Sequence, residues 1–474
     1  MRVLLTGATG YIGKRLLPVL VEAGHHVICC VRDINRFNPP NSVKSKIEVI
    51  EVDLLDQDSL TKIPKDIDGA YYLVHSMSNS ADYDKLEKLS AINFRFAMNK
   101  TNLKHLIYLS GIINEVKLSK HLNSRRNVEI ELALGKYNFT TLRAGIIIGE
   151  GSSSFEIIRD LVEKLPIMIT PKWLSTKSQP IGITDVIGFL YKSLFNSETY
   201  ARNFDIGGPD ILSYKDILLK FAKIRNLKRR IFIVPVMTPR LSSYWLYFVT
   251  SISYKLSIAL VNSMKVEVIC RNNKLQEILN IKTEKLESSL KKAFNKIENN
   301  QIISSWKDSL ISGDMNMNIS NFINVPTFGC FKDERERNYE NLENCLDRIW
   351  QIGGKKGWYY GDWLWKIRGF IDKIFGGVGL RRGRTNQSEL FAGDAVDFWR
   401  VLYANKNEGR LLLFAEMKLP GEAWLEFKIN KNKLIQTATF RPIGLLGRLY
   451  WLCVLPFHSY IFNGMLLNLT KEKF

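Results

Sequence analysis

The chain of 474 residues predicts an α/β fold, with a doubly wound parallel sheet first and an α+β domain after it. Through residues 1–150, apolar strand patterns alternate with helical patterns, which favours a parallel sheet. Strands such as 25–31 and 69–76 are apolar along most of their length, as expected for a sheet buried on both faces. A glycine-rich turn after the first strand is typical of the start of a βαβ unit.

The first domain is expected to contain six strands, separated mostly by helices. They are predicted at residues 2–6, 25–31, 47–54, 69–76, 105–111 and 139–149. Apolar residues recur at helical spacing over 11–23, and Gly24 ends that helix. Residues 151–293 predict a small lid built after the sixth strand, so the whole domain spans 1–293.

The second domain follows an Asn- and Ser-rich stretch, 294–325, which predicts a linker. Residues 326–474 predict two short helices, antiparallel strands and a long final helix, an order that favours a helix-grip fold with an apolar cavity. Residues 449–470 carry no charge and are long enough to span a bilayer. Because Pro456 and His458 interrupt this run, we favour a buried core helix, with peripheral membrane contact as the alternative.

The formal net charge of +20 is spread over the chain and predicts a basic surface that favours anionic partners. No nucleic-acid-binding motif accompanies it, so that class of function is not predicted. None of the six cysteines forms a CxxC pair, and His25 and His26 lack partners at ligand spacing, so no metal site is expected. Reduced thiols and a start without a leader pattern predict a cytoplasmic protein.

The glycine turn, TGATGYIG, predicts a dinucleotide site. Gly7 allows a tight turn after the strand, Gly10 allows the backbone to approach a pyrophosphate, and Gly13 allows the helix to pack closely. The start of the helix then offers N–H groups and a partial positive charge to the phosphates. The predicted contacts of this turn are Gly7, Thr9, Gly10, Tyr11, Ile12 and Gly13.

The end of the second strand indicates which dinucleotide is bound. An arginine there accommodates a 2′-phosphate, whereas an acidic residue binds a ribose 2′-hydroxyl. Arg32 occupies that place, with Asp33 directly after it, so we predict NADP(H) in preference to NAD(H); the alternative for Arg32 is a solvated surface charge. Asp53, followed by Leu54, is expected to meet the adenine amine, and His75 is a further candidate for contact with the cofactor.

Four features together resemble the extended or atypical short-chain dehydrogenases/reductases, and their NmrA-like branch above all. They are the TGATGYIG turn, Arg32, Asp53-Leu54 and the YLSG segment at 108–111. Residues 142–173, 207–218 and 441–466 resemble a bacterial subgroup in which this domain is fused to an uncharacterised C-terminal domain. The resemblance implies an NAD(P)-binding Rossmann fold and oxidoreductase chemistry.

A reductase of that superfamily uses a serine, a tyrosine and a lysine, the last two four residues apart on one helix face. Ser110 stands at the position of the serine, but the next helix holds no Tyr-x-x-x-Lys. The nearest pair is His121, which could donate a proton, and Arg125, which could hold a ribose hydroxyl or a phosphate. Ordinary structural roles are the alternative for all three. Arg143 could meet an anionic substrate or form an internal ion pair.

Two functions remain open at this point. The first is an NADP(H)-binding oxidoreductase that acts on a carbonyl or lipid-like small molecule. The second is a catalytically inactive NADP(H)-binding redox sensor or scaffold. The glycine turn is compatible with both, and the missing tyrosine and lysine favour the second.

Overall fold

A computed structural model divides the chain into two compact units, Met1–Ile311 and Ser312–Phe474. It describes residues 1–34, 37, 39, 41–74, 83–113, 120–234, 258, 261–262, 264–298, 325, 330–375, 377–379, 384 and 388–471. Each unit has a buried apolar core of its own.

Parallel strands form the centre of the first unit. Its strands are β1 (Arg2–Thr6), β2 (His26–Val31), β3 (Ile47–Glu51), β4 (Gly69–Tyr72), β5 (His105–Gly111), β6 (Asn138–Ala144), β7 (Ile147–Ile148), β8 (Ile167–Pro171), β9 (Lys177–Ser178), β10 (Ile181–Gly182), β11 (Arg202–Ile206), β12 (Leu212–Ser213) and β13 (Arg230–Val234). Seven of them make one parallel sheet in the order β11-β6-β5-β4-β1-β2-β3.

Helices cover both faces of this sheet. The helices of the unit are α1 (Tyr11–Glu22), α2 (Asn41–Lys44), α3 (Tyr83–Met98), α4 (Lys120–Ala133), α5 (Ser153–Lys164), α6 (Ile183–Ser193), α7 (Tyr214–Ile224), α8 (Lys274–Ile278) and α9 (Leu286–Glu298). On β1, Leu5 belongs to a core that includes α1 and α6, whereas Leu4 belongs to a core that includes α3 and α4. The predicted doubly wound fold is therefore confirmed.

The predicted sixth strand, 139–149, is in fact two strands. β6 ends at Ala144, and β7 leaves the main sheet to pair with β10. Gly145 stands at the break, where a Cβ atom would lie 3.1 Å from the carbonyl oxygen of Gln179. The strand predicted at 69–76 is also shorter, since β4 ends at Tyr72.

A smaller subdomain follows β7 and has its own apolar core. Phe155 of α5, Phe221 of α7 and Phe294 of α9 pack together there. Because α9 runs to Glu298, the first residues of the predicted linker are helical, and the buried side chain of Phe294 is the physical reason. The rest of that linker, 299–324, lies outside the described residues.

Among its described residues, the second unit pairs an antiparallel sheet with three helices, which confirms the predicted α+β class. Its strands are β14 (Phe331–Asn338), β15 (Ala395–Val396), β16 (Trp399–Asn405), β17 (Arg410–Ala415), β18 (Gly421–Asn430) and β19 (Lys433–Pro442), and its helices are α10 (Leu342–Trp350), α11 (Asp362–Ile374) and α12 (Gly444–Thr470). The sheet order is β14-β19-β18-β17-β16-β15, and the long α12 packs against β14 and β19.

Candidate nucleotide-binding site

The turn after β1 is shaped by glycines. Gly7 has a φ of +72°, and a Cβ there would lie 2.8 Å from the carbonyl oxygen of Leu73, which follows β4. The N–H of Gly10 donates to the carbonyl oxygen of Gly7 over 2.9 Å and closes the turn. A Cβ on Gly13 would overlap with that same carbonyl oxygen. Side chains at Gly7 and Gly13 would therefore force the turn open.

The start of α1 is open to an anion. Gly10 precedes the helix and supplies no side-chain cap, and the first turn contains no acidic residue. The first N–H groups of a helix have no partner inside the helix and carry a partial positive charge. Thr9, Gly10 and Ile12 are half-buried around this position. The geometry suits a phosphate group.

The side chain of Tyr11 is turned into the protein. The guanidinium of Arg15 lies 4.1 Å from the centre of its ring, and burial raises the pKa of the Tyr11 hydroxyl. Arg15 in turn donates to the Glu150 carboxylate over 2.7 Å, and both partners are almost completely buried. Sequence reasoning missed this ion pair. It fixes the first turns of α1, so Tyr11 can offer a ligand its backbone N–H.

The residues after β2 have opposite environments. Arg32 is exposed, whereas the side chain of Asp33 is buried and already engaged within the protein. Beside the end of β2, the Arg32 guanidinium is therefore in contact with solvent, whereas the Asp33 carboxylate is not. An acidic side chain that is buried and engaged is poorly placed to compete for a ribose hydroxyl.

Asp53 and Leu54 take structural positions after β3. One carboxylate oxygen of Asp53 accepts the N–H of Leu55 over 3.0 Å, and its backbone N–H donates to the Ser59 hydroxyl over 3.0 Å. Asp53 is half-buried, so its carboxylate is held in one orientation at this edge. The side chain of Leu54 is buried in the core with Ile28. Packing is therefore the role that the structure gives to this side chain.

Ser110 and Arg125 lie together at the carboxyl end of β5. Ser110 is buried, and its hydroxyl lies beside that of Tyr108, where it counteracts part of the rise that burial causes in the pKa of Tyr108. Arg125, on α4, donates from Nη1 to the carbonyl oxygen of Leu109 over 2.9 Å, and the hydroxyl of Tyr108 donates to the Arg125 carbonyl over 3.4 Å. Arg125 thus fastens α4 to β5, a structural contact that the sequence did not predict.

Two other predicted site residues, His121 and His75, lie partly or wholly outside the described residues. His121 lies in the first turn of α4, one turn before Arg125, and its side chain is outside the described residues. His75 lies wholly outside them. Arg143, by contrast, forms a two-pronged ion pair with Glu129, at 2.7 and 3.1 Å, which accounts for its charge within the protein. In the described part of the chain, no three His, Cys, Asp or Glu side chains gather into a metal-binding group.

Comparison with known families agrees with this geometry. Residues 7–153 match the family described as NAD(P)H-binding. The first unit carries an NAD(P)-binding Rossmann domain. Residues 330–465, in the second unit, match a family described as a protein of unknown function, DUF2867.

Curated relatives of the NAD(P)-binding domain are distant. Photosystem II assembly factor Ycf39 of Guillardia theta is 23% identical, over 56% of this chain and 85% of that protein. The chloroplastic divinyl chlorophyllide a 8-vinyl-reductase of Arabidopsis thaliana is 21% identical, over 44% of this chain and 54% of that protein. Two further relatives are matched over only 3% and 39% of their own lengths.

Among solved structures, a nucleoside-diphosphate-sugar epimerase from Staphylococcus aureus superposes with a TM-score of 0.50 at 16% identity. The superposition covers 61% of this chain and 99% of that protein. At this level of identity the likeness concerns the fold alone. It agrees with a Rossmann sheet and a small appended subdomain in one unit.

Proposed function

We propose that the first unit binds NADP(H) in preference to NAD(H) and catalyses oxidoreduction of a small carbonyl compound, apolar or lipid-like in character. The observation that carries the proposal is the open start of α1 behind glycines that have no room for a side chain. The exposed Arg32 beside the buried Asp33 supports recognition of a 2′-phosphate. The residues present therefore fit the cofactor.

The cofactor would be held along one edge of the sheet. The N–H groups of residues 11–13 would bind the pyrophosphate, which Gly10 allows to come close to the backbone. Arg32 would bind the 2′-phosphate, and Asp53 the adenine amine. When bound in its reduced form, the nicotinamide supplies the hydride that a carbonyl carbon accepts. His75 is proposed as a further contact.

The catalytic groups of the proposal are at the carboxyl end of β5. Ser110 would donate its hydroxyl to the substrate carbonyl, and its place at the carboxyl end of β5, beside the Tyr108 hydroxyl, supports this role. His121 would deliver the proton that the carbonyl oxygen takes up, so that an alcohol forms. Arg125 would hold α4 in place through its hydrogen bond to the carbonyl oxygen of Leu109. Its remaining N–H donors would bind a ribose hydroxyl. The relative from Arabidopsis thaliana is named a vinyl-reductase, so its name supports a reductase activity in general, with a vinyl group in place of a carbonyl as the acceptor.

A second candidate is an NADP(H)-binding sensor or scaffold without turnover. The absence of a Tyr-x-x-x-Lys pair favours it, as does the binding of Arg125 to a backbone carbonyl. Ycf39, whose name describes an assembly factor, is a relative that fits this alternative.

The two candidates are separated by turnover. Purified full-length protein is incubated with NADPH and a panel of aldehydes and ketones that ranges from short to long-chain. Oxidation of NADPH that falls at least tenfold in Ser110→Ala and in His121→Phe, with unchanged nucleotide affinity, supports the reductase. Tight binding of NADPH without oxidation by any carbonyl supports the sensor.

We further infer that the chain belongs to the NmrA-like branch, in the bacterial subgroup with a fused C-terminal domain. Matches to an NAD(P)H-binding family and to DUF2867 in one chain support this assignment. The proposed domains are 1–293 and 326–474, with 294–325 as the proposed linker, whose first residues belong to α9. The second domain is proposed to bind an apolar ligand.

We also propose that the protein is cytoplasmic and that its second domain makes peripheral contact with a membrane. All six cysteines are unpaired, and Cys29, Cys30 and Cys345 are buried as thiols. Burial raises the pKa of the Cys345 thiol to about 11, so it stays protonated and unreactive at neutral pH. Structural thiols of this kind are typical of a reducing compartment.

A further inference from the structure

The second unit presents a large apolar surface on two helices. On α11, Trp363 and Phe370 are 58% and 60% exposed, and Phe375, directly after it, is 73% exposed. At the start of α12, Leu445 and Leu446 are 73% and 74% exposed. Apart from Leu342 and Phe391, every exposed large apolar side chain described in this unit lies on α11 or on residues 443–460 and their immediate neighbours. We call α11 and residues 443–460 the apolar helix face. An exposed apolar patch of this kind marks an interaction site.

The two helices are held together at one end by aromatic contacts. Tyr360, just before α11, packs on Tyr460 of α12 with ring centres 5.1 Å apart. Trp365 of α11 and Phe462 of α12 meet one turn further on, at 6.5 Å. The start of α11 therefore lies beside the middle of α12.

Away from these aromatic contacts, both helices are hydrogen-bonded to one short loop, residues 418–420. The guanidinium of Arg368, on α11, donates to the carbonyl oxygen of Lys418 over 3.2 Å. The N–H of Ile443, just before α12, donates to the carbonyl oxygen of Pro420 over 2.9 Å. The middle of α11 and the residue before α12 therefore contact the same loop, which brings the exposed residues of the two helices near one another.

This surface carries exposed basic side chains, and its carboxylates accept hydrogen bonds from backbone N–H groups. Lys366 and Arg448 are exposed and form no ion pair among the described residues. Asp362 accepts the N–H of Trp358, and the buried Asp372 accepts backbone N–H groups that include that of Lys418. Residues 443–470 contain no acidic residue. The charge balance of the face is thus suited to an anionic surface.

α12 is unsuited to crossing a bilayer, although Leu445–Thr470 is long and apolar enough to do so. Its final third supplies Phe462, Met465 and Leu469 to the core beneath the sheet. Only 28% of its most apolar window is buried, because the first half is the exposed part. The predicted buried core helix is thus correct for the end of α12 and wrong for its beginning.

We propose that the apolar helix face is an interfacial docking surface for a bilayer that contains anionic phospholipids. The Trp, Phe and Leu side chains would enter the boundary between headgroups and acyl chains, while Lys366 and Arg448 contact the headgroups. The proposal specifies the membrane contact of the proposed cytoplasmic location and is independent of the proposed reaction.

The test is sedimentation of full-length, detergent-free protein with phosphatidylcholine vesicles, with and without phosphatidylglycerol. We expect binding to the anionic vesicles that weakens with added salt. Phe370→Glu combined with Leu446→Glu should weaken it at least tenfold. Lys366→Ala and Arg448→Ala should each weaken it about fivefold at low salt. The control is Leu134→Glu, at an equally exposed leucine of the first unit, 61% accessible, which should bind as the parent does.

Light scattering and NADPH titration accompany the binding assay. Tryptophan fluorescence and thermal unfolding that match those of the parent show that the second unit is folded in the variants, and loss of NADPH binding in the parent contradicts the proposed function alone. The docking proposal is overturned if the parent ignores anionic vesicles, or if the double variant binds them as the parent does. It is also overturned if the parent is a dimer without vesicle affinity that the double variant makes monomeric, because a second copy then covers the face.

Discussion

The two ends of the candidate nucleotide site differ in the groups that form them: backbone groups at one end and side chains at the other. At the turn after β1, backbone geometry determines what binds: Gly7 and Gly13 have no room for a Cβ, and the N–H groups of α1 face outward. At the carboxyl end of β5, the proposed chemistry would depend on side chains: Ser110 and Arg125 lie there, and the sequence of α4 offers His121 and Arg125 in place of the tyrosine and lysine of a typical reductase. The proposed cofactor contacts thus rest on glycines that permit little change, whereas the proposed catalysis would rest on side chains that can be exchanged within the same fold.

The largest expected effect is at the turn. In Gly13→Ala, the new Cβ overlaps with the carbonyl oxygen of Gly7, so the turn must open and NADPH affinity should fall at least a hundredfold. The matched control is Gly188→Ala, on α6, where a Cβ meets no heavy atom within 4 Å. It should keep the parent affinity and gain about 1 kcal/mol of helix stability. Equal affinities of the two variants by fluorescence titration would refute the backbone account.

The ion pair below the turn comes next. Glu150→Ala removes the carboxylate to which the buried guanidinium of Arg15 donates, which should lower the free energy of unfolding by about 3–5 kcal/mol. Arg15→Met combined with Glu150→Leu should recover most of that loss, since no charge is then left buried. Urea unfolding measures both. A loss in Glu150→Ala below about 1 kcal/mol would show that the pair does not fix α1.

Acid should weaken the strand that carries Ser110. His105, at the start of β5, is fully buried, accepts the N–H of Phe195 at Nδ1 and bonds to Thr140 at Nε2; burial lowers its pKa to about 4. Since the unfolded pKa is near 6.5, the neutral folded form loses stability as pH falls from 6.5 to 4, by about 3 kcal/mol in total.

The pH effect is measured by difference, because burial also lowers the pKa of His458 in the second unit to about 4. His105→Gln should have a flatter dependence of unfolding free energy on pH than the parent, while His458 contributes equally to both. Parallel pH profiles for the two proteins would show that the pKa of His105 is the same in the folded and unfolded states.

The smallest effect concerns the choice of cofactor. Arg32→Ala should weaken NADPH binding about tenfold, the loss of one exposed phosphate contact, and leave NADH binding unchanged. Arg202→Ala, at an exposed arginine of β11, serves as the control and should change neither affinity. An equal loss of affinity for NADPH and NADH would show that Arg32 attracts anions in general and does not recognise the 2′-phosphate.

Local patterns were enough to predict the sheet, the glycine turn and the exposed Arg32, because each depends on residues close in sequence. β14 was missed because its sequence, FKDERERN, alternates charges; it is an edge strand that pairs with β19 alone. The Arg15–Glu150 pair joins residues 135 positions apart, so no local signal reveals it. The contact of Arg125 with Leu109 likewise depends on how α4 returns to β5.

The central claim is tested most directly by titrating purified full-length protein with NADPH and with NADH, followed by nicotinamide fluorescence. We expect saturable binding at one site per chain, at least tenfold tighter for NADPH, that is abolished in Gly13→Ala and kept in Gly188→Ala. No saturable binding of either dinucleotide by the folded protein would contradict the account.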